Sequence, residues 1–93
     1  MAVRIIVTIT ALPGKGTELA QAMAPRLAEV RQEPGCEQYD VFQHTEDPDT
    51  LILLERWTDE ATLAVHSELH RQRPRVGEYL RAGPSKAERF IVG

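Results

Sequence analysis

Two short segments of the chain are apolar at every position, and they limit how it can fold. They are Ile5-Ile6-Val7 and Leu51-Ile52-Leu53-Leu54. Because successive side chains of a strand point to opposite faces of a sheet, a strand without polar residues is buried on both faces. The two segments are therefore predicted to lie in the central strands of a sheet.

The other elements are predicted from turn signals and helical periodicity. The first helix is expected to have Thr17 as its N-cap, a kink at Pro25 and its end near Gln32. Thr58 is expected to be the N-cap of the second helix. The predicted strands cover residues 3–11, 36–44, 51–57 and 86–92, and after the third come a short helix at 59–68 and a helical piece at 74–80.

The order β-α-β-β-(α-α)-β predicts one α+β domain over residues 1–93. It is the ferredoxin-like arrangement, a four-stranded antiparallel sheet with the helices on one face. The opposite face then has no cover, although the central strands present apolar side chains to it. Because monomers rarely expose an apolar patch beyond a few hundred Å², we expect a homodimer formed through this face.

Composition argues against several classes of function. The net charge is −3, and the one basic cluster, Arg71, Arg73 and Arg75 with Arg81 further on, is predicted to be a solvated helix face, so nucleic-acid binding is not expected. No apolar run reaches the roughly 20 residues that span a bilayer. Cys36 is the only cysteine, which favours a reducing compartment, and we predict a cytoplasmic protein without membrane contact.

Trp57, the only tryptophan, ends the third predicted strand. Alternation places it on one face with Leu51, Leu53 and Glu55. If Gln43 opposes Leu53 in the hairpin, Tyr39 opposes Trp57, and the two rings form an apolar wall with polar tips that suits a planar aromatic ligand. A register slip of one residue would separate them. The alternative is that both rings only fill the core or an interface.

His66 lies on the predicted short helix after Trp57 and His70 follows four residues later, a spacing at which two histidines can share one face of a helix. They could hold a metal, with Glu55 as a third ligand, but the zinc motif His-Glu-x-x-His is absent. Alternatively, one neutral imidazole facing a pocket could act as a general base. In a third interpretation the histidines only make hydrogen bonds at the surface. We predict no metal site and no organic cofactor.

Several short motifs together resemble the antibiotic biosynthesis monooxygenase family over nearly the whole chain. They are Pro13-Gly14-Lys15, Glu33-Pro34-Gly35-Cys36 leading to Tyr39, Asp47-Pro48-Asp49, and Glu55-Arg56-Trp57 followed by Asp59-Glu60. His66 stands where many members carry a histidine. The resemblance implies a dimeric α+β barrel.

The resemblance also implies oxidation of a small hydroquinone or polyphenol by O2 without flavin, haem or metal. His66 is then the candidate catalytic base, and Trp57, Tyr39, Glu55 and His70 are candidate substrate-binding residues. The chain departs from anthrone-oxidising members, which have Asn and Tyr where Leu53 and Leu63 stand. It contains no asparagine, which haem-degrading members need. The alternatives are an isomerase of a small metabolite and a non-catalytic dimer that binds a small ligand.

Overall fold

The computed structural model describes all 93 residues and contains one four-stranded antiparallel sheet with two helices. The elements are β1 (Ala2–Thr10), α1 (Gly16–Val30), β2 (Cys36–Gln43), β3 (Thr50–Trp57), α2 (Glu60–Gln72), a 3-10 turn (Glu78–Leu80) and β4 (Lys86–Val92). The sheet order is β2-β3-β1-β4. The predicted element order and fold class are thus confirmed, and β1 and β3 are the central strands as expected.

One face of the sheet carries the core. Leu51, Leu53, Glu55 and Trp57 share this face of β3, as predicted, and all four are buried. Leu19, Met23, Leu27 and Val30 of α1, at helical spacing, pack against this face together with Leu63 of α2. None of the helices combines the length and the apolar character needed to cross a membrane.

The opposite face has no cover from this chain. Ile6, Ile52 and Leu54 are only half-buried there, and Phe42 and Phe90 are more exposed still. Polar pairs also occupy this face, such as the Arg4 guanidinium donating to the Gln38 side chain. An apolar centre with polar surroundings is the composition that typifies a protein–protein contact.

The predicted hairpin register was wrong by two residues. Gln43 pairs with Leu51 rather than Leu53, and Tyr39 pairs with Glu55 rather than Trp57. The register also shifts between Cys36 and Gln38, because β2 carries an irregularity there. A shift of two residues preserves the face, so Tyr39 is still on the buried side with Trp57.

Both predicted N-caps were also wrong. Helix α1 begins at Gly16, one residue before Thr17, and the Asp49 carboxylate in the β2–β3 loop accepts from the backbone N–H groups of Gly14 and Gly16, at 2.9 Å each. Helix α2 is capped by Asp59 instead of Thr58, through a reciprocal capping box with Thr62.

The helix lengths differ from the sequence prediction as well. Helix α2 continues to Gln72, one turn beyond the predicted end, so His70 is a helical residue. The helical piece expected from Pro74 is reduced to the 3-10 turn. Helix α1 continues through Pro25, as expected, but ends at Val30, two residues before the predicted end.

Candidate functional site

Three elements bring the candidate residues together on the buried side of the sheet. Tyr39 comes from β2, Glu55 and Trp57 from β3, and His66 from α2. The His66 ring lies with its centroid 4.5 Å from that of Trp57 and 5.5 Å from that of Tyr39. All four side chains are buried, so they form one cluster rather than separate surface features.

The Trp57 indole lies behind this cluster and does not face the cavity. It is completely buried and is absent from the cavity lining. Its Nε1–H donates to Glu55 Oε1 at 3.0 Å, and its ring is stacked under the His66 imidazole. The expectation that Trp57 contacts the ligand is corrected: His66 lies between the indole and the cavity, and Trp57 supports the two groups that reach it.

His66 is oriented by a carboxylate that the sequence analysis did not single out. Its Nδ1 lies 2.8 Å from Glu33 Oε1, and the other oxygen of Glu33 accepts from the Arg73 guanidinium at 2.6 Å. An ionised carboxylate can only accept, which assigns the imidazole proton to Nδ1. In the neutral ring Nε2 then carries the lone pair, so Glu33 orients His66 for accepting a proton at Nε2.

The position of Glu33 depends on the tight turn that follows it. Gly35 has a φ of +79°, in the left-handed region, and a Cβ added there would lie 2.4 Å from the Thr62 side chain of α2. The Gly35 carbonyl also accepts from the Thr58 N–H at 2.9 Å. Only glycine combines this φ with such close approach, and the turn is thereby fixed against the start of the helix that carries His66.

An open cavity of about 920 Å³ lies in front of the cluster. Its floor includes Ile5, Val7 and Ile9 of β1, and Tyr39, Glu55, His66 and His70 are among its lining residues. The cavity is therefore apolar along the sheet, with the polar groups of the cluster at one end and further polar side chains, several of them arginines, in the rest of its lining. This combination is typical of a small-molecule site.

Three polar atoms of the cluster have no hydrogen-bond partner in the chain: the Tyr39 hydroxyl, Glu55 Oε2 and His66 Nε2. The structure contains no completely enclosed side-chain polar atom that lacks a partner, so these three must be open to the cavity. His66 Nε2 lies 4.0 Å from Glu55 Oε1. A ligand at this end of the cavity would thus meet an imidazole, a carboxyl group and a phenol on one wall.

Burial changes the acid–base properties of this wall. Desolvation raises the pKa of the Glu55 carboxyl above its ordinary value, although the Trp57 hydrogen bond and then the neighbouring His66 oppose the rise. Desolvation, and then the negative charges of Glu55 and Glu33, raise the pKa of the Tyr39 phenol. Tyr39 therefore stays protonated at neutral pH and can donate a hydrogen bond to a ligand.

His70 lies further out on the same helix, with its ring centroid 5.7 Å from that of His66. Partial burial, and then the neighbouring His66, lower the pKa of His70, so it is mainly neutral at pH 7. No group of three histidine, cysteine, aspartate or glutamate side chains is placed so that it could bind a metal ion. In particular, Glu55, His66 and His70 do not form the ligand set considered from the sequence.

Sequence reasoning missed Glu33 and Arg73. Glu33 was noticed only as part of the Glu33-Pro34-Gly35-Cys36 motif, and Arg73 was assigned to a solvated helix face. Arg73 follows α2 and is half-buried, in contact with Glu33 and within 3.9 Å of Glu29. A glutamate directly before a Pro-Gly turn was the available signal, but nothing local indicates that the partner is His66, 33 residues away.

Comparison with known proteins places the chain in a family. A sequence model described as antibiotic biosynthesis monooxygenase matches residues 2–82. A Bacillus subtilis protein named "Putative monooxygenase YcnE" is 34% identical over 56 residues. That alignment covers 60% of this chain and 59% of the relative, so it spans less than two thirds of either.

Solved structures share the fold of this chain. PA3566 from Pseudomonas aeruginosa is 30% identical, with a TM-score of 0.80, over 98% of this chain and 93% of that one. A conserved protein from Methanosarcina mazei has a TM-score of 0.78 at 24% identity, over 97% and 91% of the two chains, and shows the shared fold alone. With 81 of its 93 residues matched by the family model, the chain belongs to the antibiotic biosynthesis monooxygenase family.

Proposed function

We propose that this protein is a monooxygenase that oxidises a hydroquinone-type aromatic with O2 and needs no cofactor. The observation that supports this best is the geometry of His66, whose Nδ1 is tied to Glu33 while Nε2 is open to the cavity beside Glu55. A positioned base is the group that such a reaction requires from the protein, because the substrate itself supplies the electrons. The family membership and the name of the Bacillus subtilis relative point to the same class of reaction.

The chemistry can be followed through the residues on the cavity wall. His66 Nε2 removes the proton of a phenol and leaves an electron-rich phenolate, which reacts with O2 at a ring carbon. One oxygen atom stays on the ring and the other leaves as water, so a hydroquinone becomes a hydroxyquinone and all four electrons come from the substrate. The Tyr39 hydroxyl, which remains protonated, donates a hydrogen bond to developing negative charge.

Glu55 is proposed to bind the second hydroxyl of the substrate. Its Oε1 is occupied by the Trp57 N–H, while Oε2 has no partner in the chain. An accepting oxygen there can hold a hydroxyl donor in a fixed orientation relative to His66. His70, at the rim and mainly neutral, is proposed to contact the outer part of the ligand.

The test is oxygen consumption by chelator-treated protein with a panel of hydroquinones, in buffer without flavin, haem or metal. We expect protein-dependent uptake of O2 and, with ¹⁸O2, one labelled oxygen atom in the product. Uptake that requires an added metal or flavin would contradict the cofactor-free mechanism. Stoichiometric zinc, iron or copper in the purified protein, lost when His66 and His70 are both replaced, would contradict it independently.

We also propose that the working form is a homodimer, joined through the uncovered face of the sheet. Half-buried Ile6, Ile52 and Leu54 on that face support this, because their remaining apolar surface is removed from water only by a partner. The cavity lies on the opposite side of the sheet, with the helices. Dimerisation would therefore leave the cavity of each copy accessible.

A further inference from the structure

Five arginines line the cavity, and four of them are neutralised by carboxylates of this chain. The four pairs are Arg26 with Glu29, Arg71 with Glu68, Arg73 with Glu33 and Arg75 with Glu78. Arg81 is the exception, because its guanidinium makes neither an ion pair nor a hydrogen bond within the chain, although the residue is half-buried. A guanidinium is always charged and has five donors, so this one is available to an acceptor from outside.

The backbone around Arg81 is held firmly against the sheet. Arg81 forms an isolated bridge with Ala11, and on either side the Leu12 N–H donates to the Leu80 carbonyl and the Ala82 N–H to the Thr10 carbonyl, at 2.8 Å each. The residue is thus attached to the end of β1 rather than to a free loop. A binding group mounted on such a fixed backbone loses little conformational entropy when it binds a ligand.

Arg81 and the His66 cluster lie at opposite ends of the cavity floor. Glu55 is opposite Ile5 on β1, whereas Arg81 is opposite Ala11, six residues further along. At about 3.3 Å per residue the two backbone positions are about 20 Å apart, and side chains from both ends shorten the gap. Between them the floor is apolar, formed by Ile5, Val7 and Ile9.

The size of the cavity agrees with a ligand that reaches both ends. About 920 Å³ is near the upper end of the range for drug-sized ligands, and a bare hydroquinone ring would leave most of it unfilled. A ring placed against His66, followed by an apolar segment over the floor, would extend toward Arg81. One unpaired guanidinium matches a single negative charge with two acceptor oxygens, which is the geometry of a carboxylate.

We propose that the ligand of this cavity is an aromatic diol joined by an apolar spacer to a carboxylate, and that Arg81 binds the carboxylate. This inference rests on the proposed function for the identity of the ring, and on Arg81 and the apolar floor for the rest of the molecule. Arg81 then determines specificity and is not a catalytic residue, because it lies at the end of the cavity remote from His66.

The test compares (2,5-dihydroxyphenyl)alkanoic acids of increasing chain length with their primary amides. Binding is measured by calorimetry under argon, where no oxidation can occur. A charge-assisted bidentate contact predicts that the acids bind about 10–100-fold more tightly than the amides at the best chain length. Arg81→Gln should remove this preference and leave the amides unaffected, while Arg81→Lys should keep part of it.

Arg75→Gln is the matched control, since it removes the same charge from a cavity-lining arginine that already has a partner. Its preference for acids should stay close to that of the wild type. Acids and amides that bind equally at every chain length would overturn the proposal. So would an equal loss in Arg75→Gln and Arg81→Gln, because that result would indicate a general effect of charge.

Oxygen uptake by the same compounds in air separates this inference from the proposed function. If the acids bind in an Arg81-dependent way but consume no oxygen, the carboxylate site stands and the proposed oxidation is wrong. If hydroquinones are oxidised but the acids have no advantage in binding, the oxidation stands and the role of Arg81 is wrong.

Discussion

The His66 imidazole is stacked on the Trp57 indole, with their planes inclined by 29° and their centroids 4.5 Å apart. One face of the imidazole is thus covered by a completely buried ring, while Nδ1 is held by Glu33. The only part of His66 with freedom to react is its Nε2 edge. This restraint is what a general base needs, because proton transfer depends on a fixed direction of approach.

Replacing His66 with alanine should lower turnover by about 10²–10⁴-fold, the usual contribution of a positioned base. The rate of the variant should recover as the pH approaches the phenol pKa of the substrate, where no protein base is required. Stability should fall by about 1–3 kcal/mol, because the buried Glu33 carboxylate loses one of its two partners. Oxygen uptake across pH and thermal unfolding measure the two effects. Normal turnover at pH 7 would show that His66 has only a structural role.

Glu33 should act as a positioning residue. Glu33→Gln keeps the shape but weakens the contact with His66 Nδ1, so kcat should fall by about 10²-fold, a large part of a base's contribution. KM should change little, because Glu33 does not line the cavity. Glu29→Gln, which removes an exposed carboxylate near the same Arg73, is the control and should keep wild-type kcat. A rise in KM at constant kcat would place Glu33 in substrate binding instead.

The buried Glu55 carboxyl should make stability depend on pH. Its pKa is raised in the folded protein, above the ordinary value of 4.5, so the folded state binds the proton more tightly than the unfolded state does. The contribution of Glu55 to stability is present in full below the ordinary value of 4.5 and is lost as the pH rises through the raised pKa of the folded protein. Glu55→Gln, which still offers an oxygen to the Trp57 N–H, should therefore gain stability relative to wild type as pH rises above 4.5.

The measurement is thermal unfolding of both proteins at several pH values. The difference in Tm should widen in favour of Glu55→Gln as pH increases. A Tm difference that stays constant over the whole pH range would mean that the Glu55 carboxyl has the same pKa in the folded and unfolded states. That result would contradict the expected effect of burial on this pKa.

The uncovered face of the sheet predicts a homodimer that a single charge introduced on this face should disrupt. Leu54→Asp puts an unpaired carboxylate at the proposed interface, at a cost of several kcal/mol, and should separate the subunits or prevent folding. Val65→Asp, on the exposed surface of α2, is the control and should sediment as a dimer like the wild type. A wild-type protein that sediments as a monomer at micromolar concentration would contradict the dimer.

Gly35→Ala should destabilise the fold and misplace Glu33 together. The substitution forces a Cβ into the Thr62 side chain at a residue with positive φ, which we expect to cost about 1–3 kcal/mol. Gly83→Ala is a suitable comparison, because a Cβ at Gly83 meets nothing within 4 Å. If thermal unfolding shows the same Tm for both variants, the turn is not under the constraint inferred from its geometry.

The architecture was largely predictable because its signals are periodic. Unbroken apolar runs marked the central strands, and alternation along β3 gave correctly the residues that share a face. The face of Tyr39 was also correct despite a wrong register, since a shift of two residues preserves alternation. Alternation within β2 also does not reveal the shift in register between Cys36 and Gln38. That shift is seen only in the pairing of β2 with β3.

The chemical detail of the site was less predictable, because it depends on contacts between distant parts of the chain. His66 was selected through the family resemblance, but the carboxylate that orients it comes from the middle of the α1–β2 connection. Trp57 was assigned to the ligand because the sequence indicates which face it occupies but not what lies in front of it. The N-caps failed for a similar reason: for α1 the cap is supplied from another loop, by Asp49.

That contribution of Asp49 limits where the protein can accept extra residues. Hairpin loops usually tolerate insertions, but this one must place the Asp49 carboxylate against two backbone N–H groups at the start of α1. The Pro48 carbonyl also lies where any side chain at position 16 would have to go. Lengthening residues 45–48 would therefore disturb the first turn of a helix that is remote in sequence. The turn around Gly83 is exposed and a side chain there would enter open space, but it lines the cavity next to Arg81, so extra residues there would change the proposed ligand site instead.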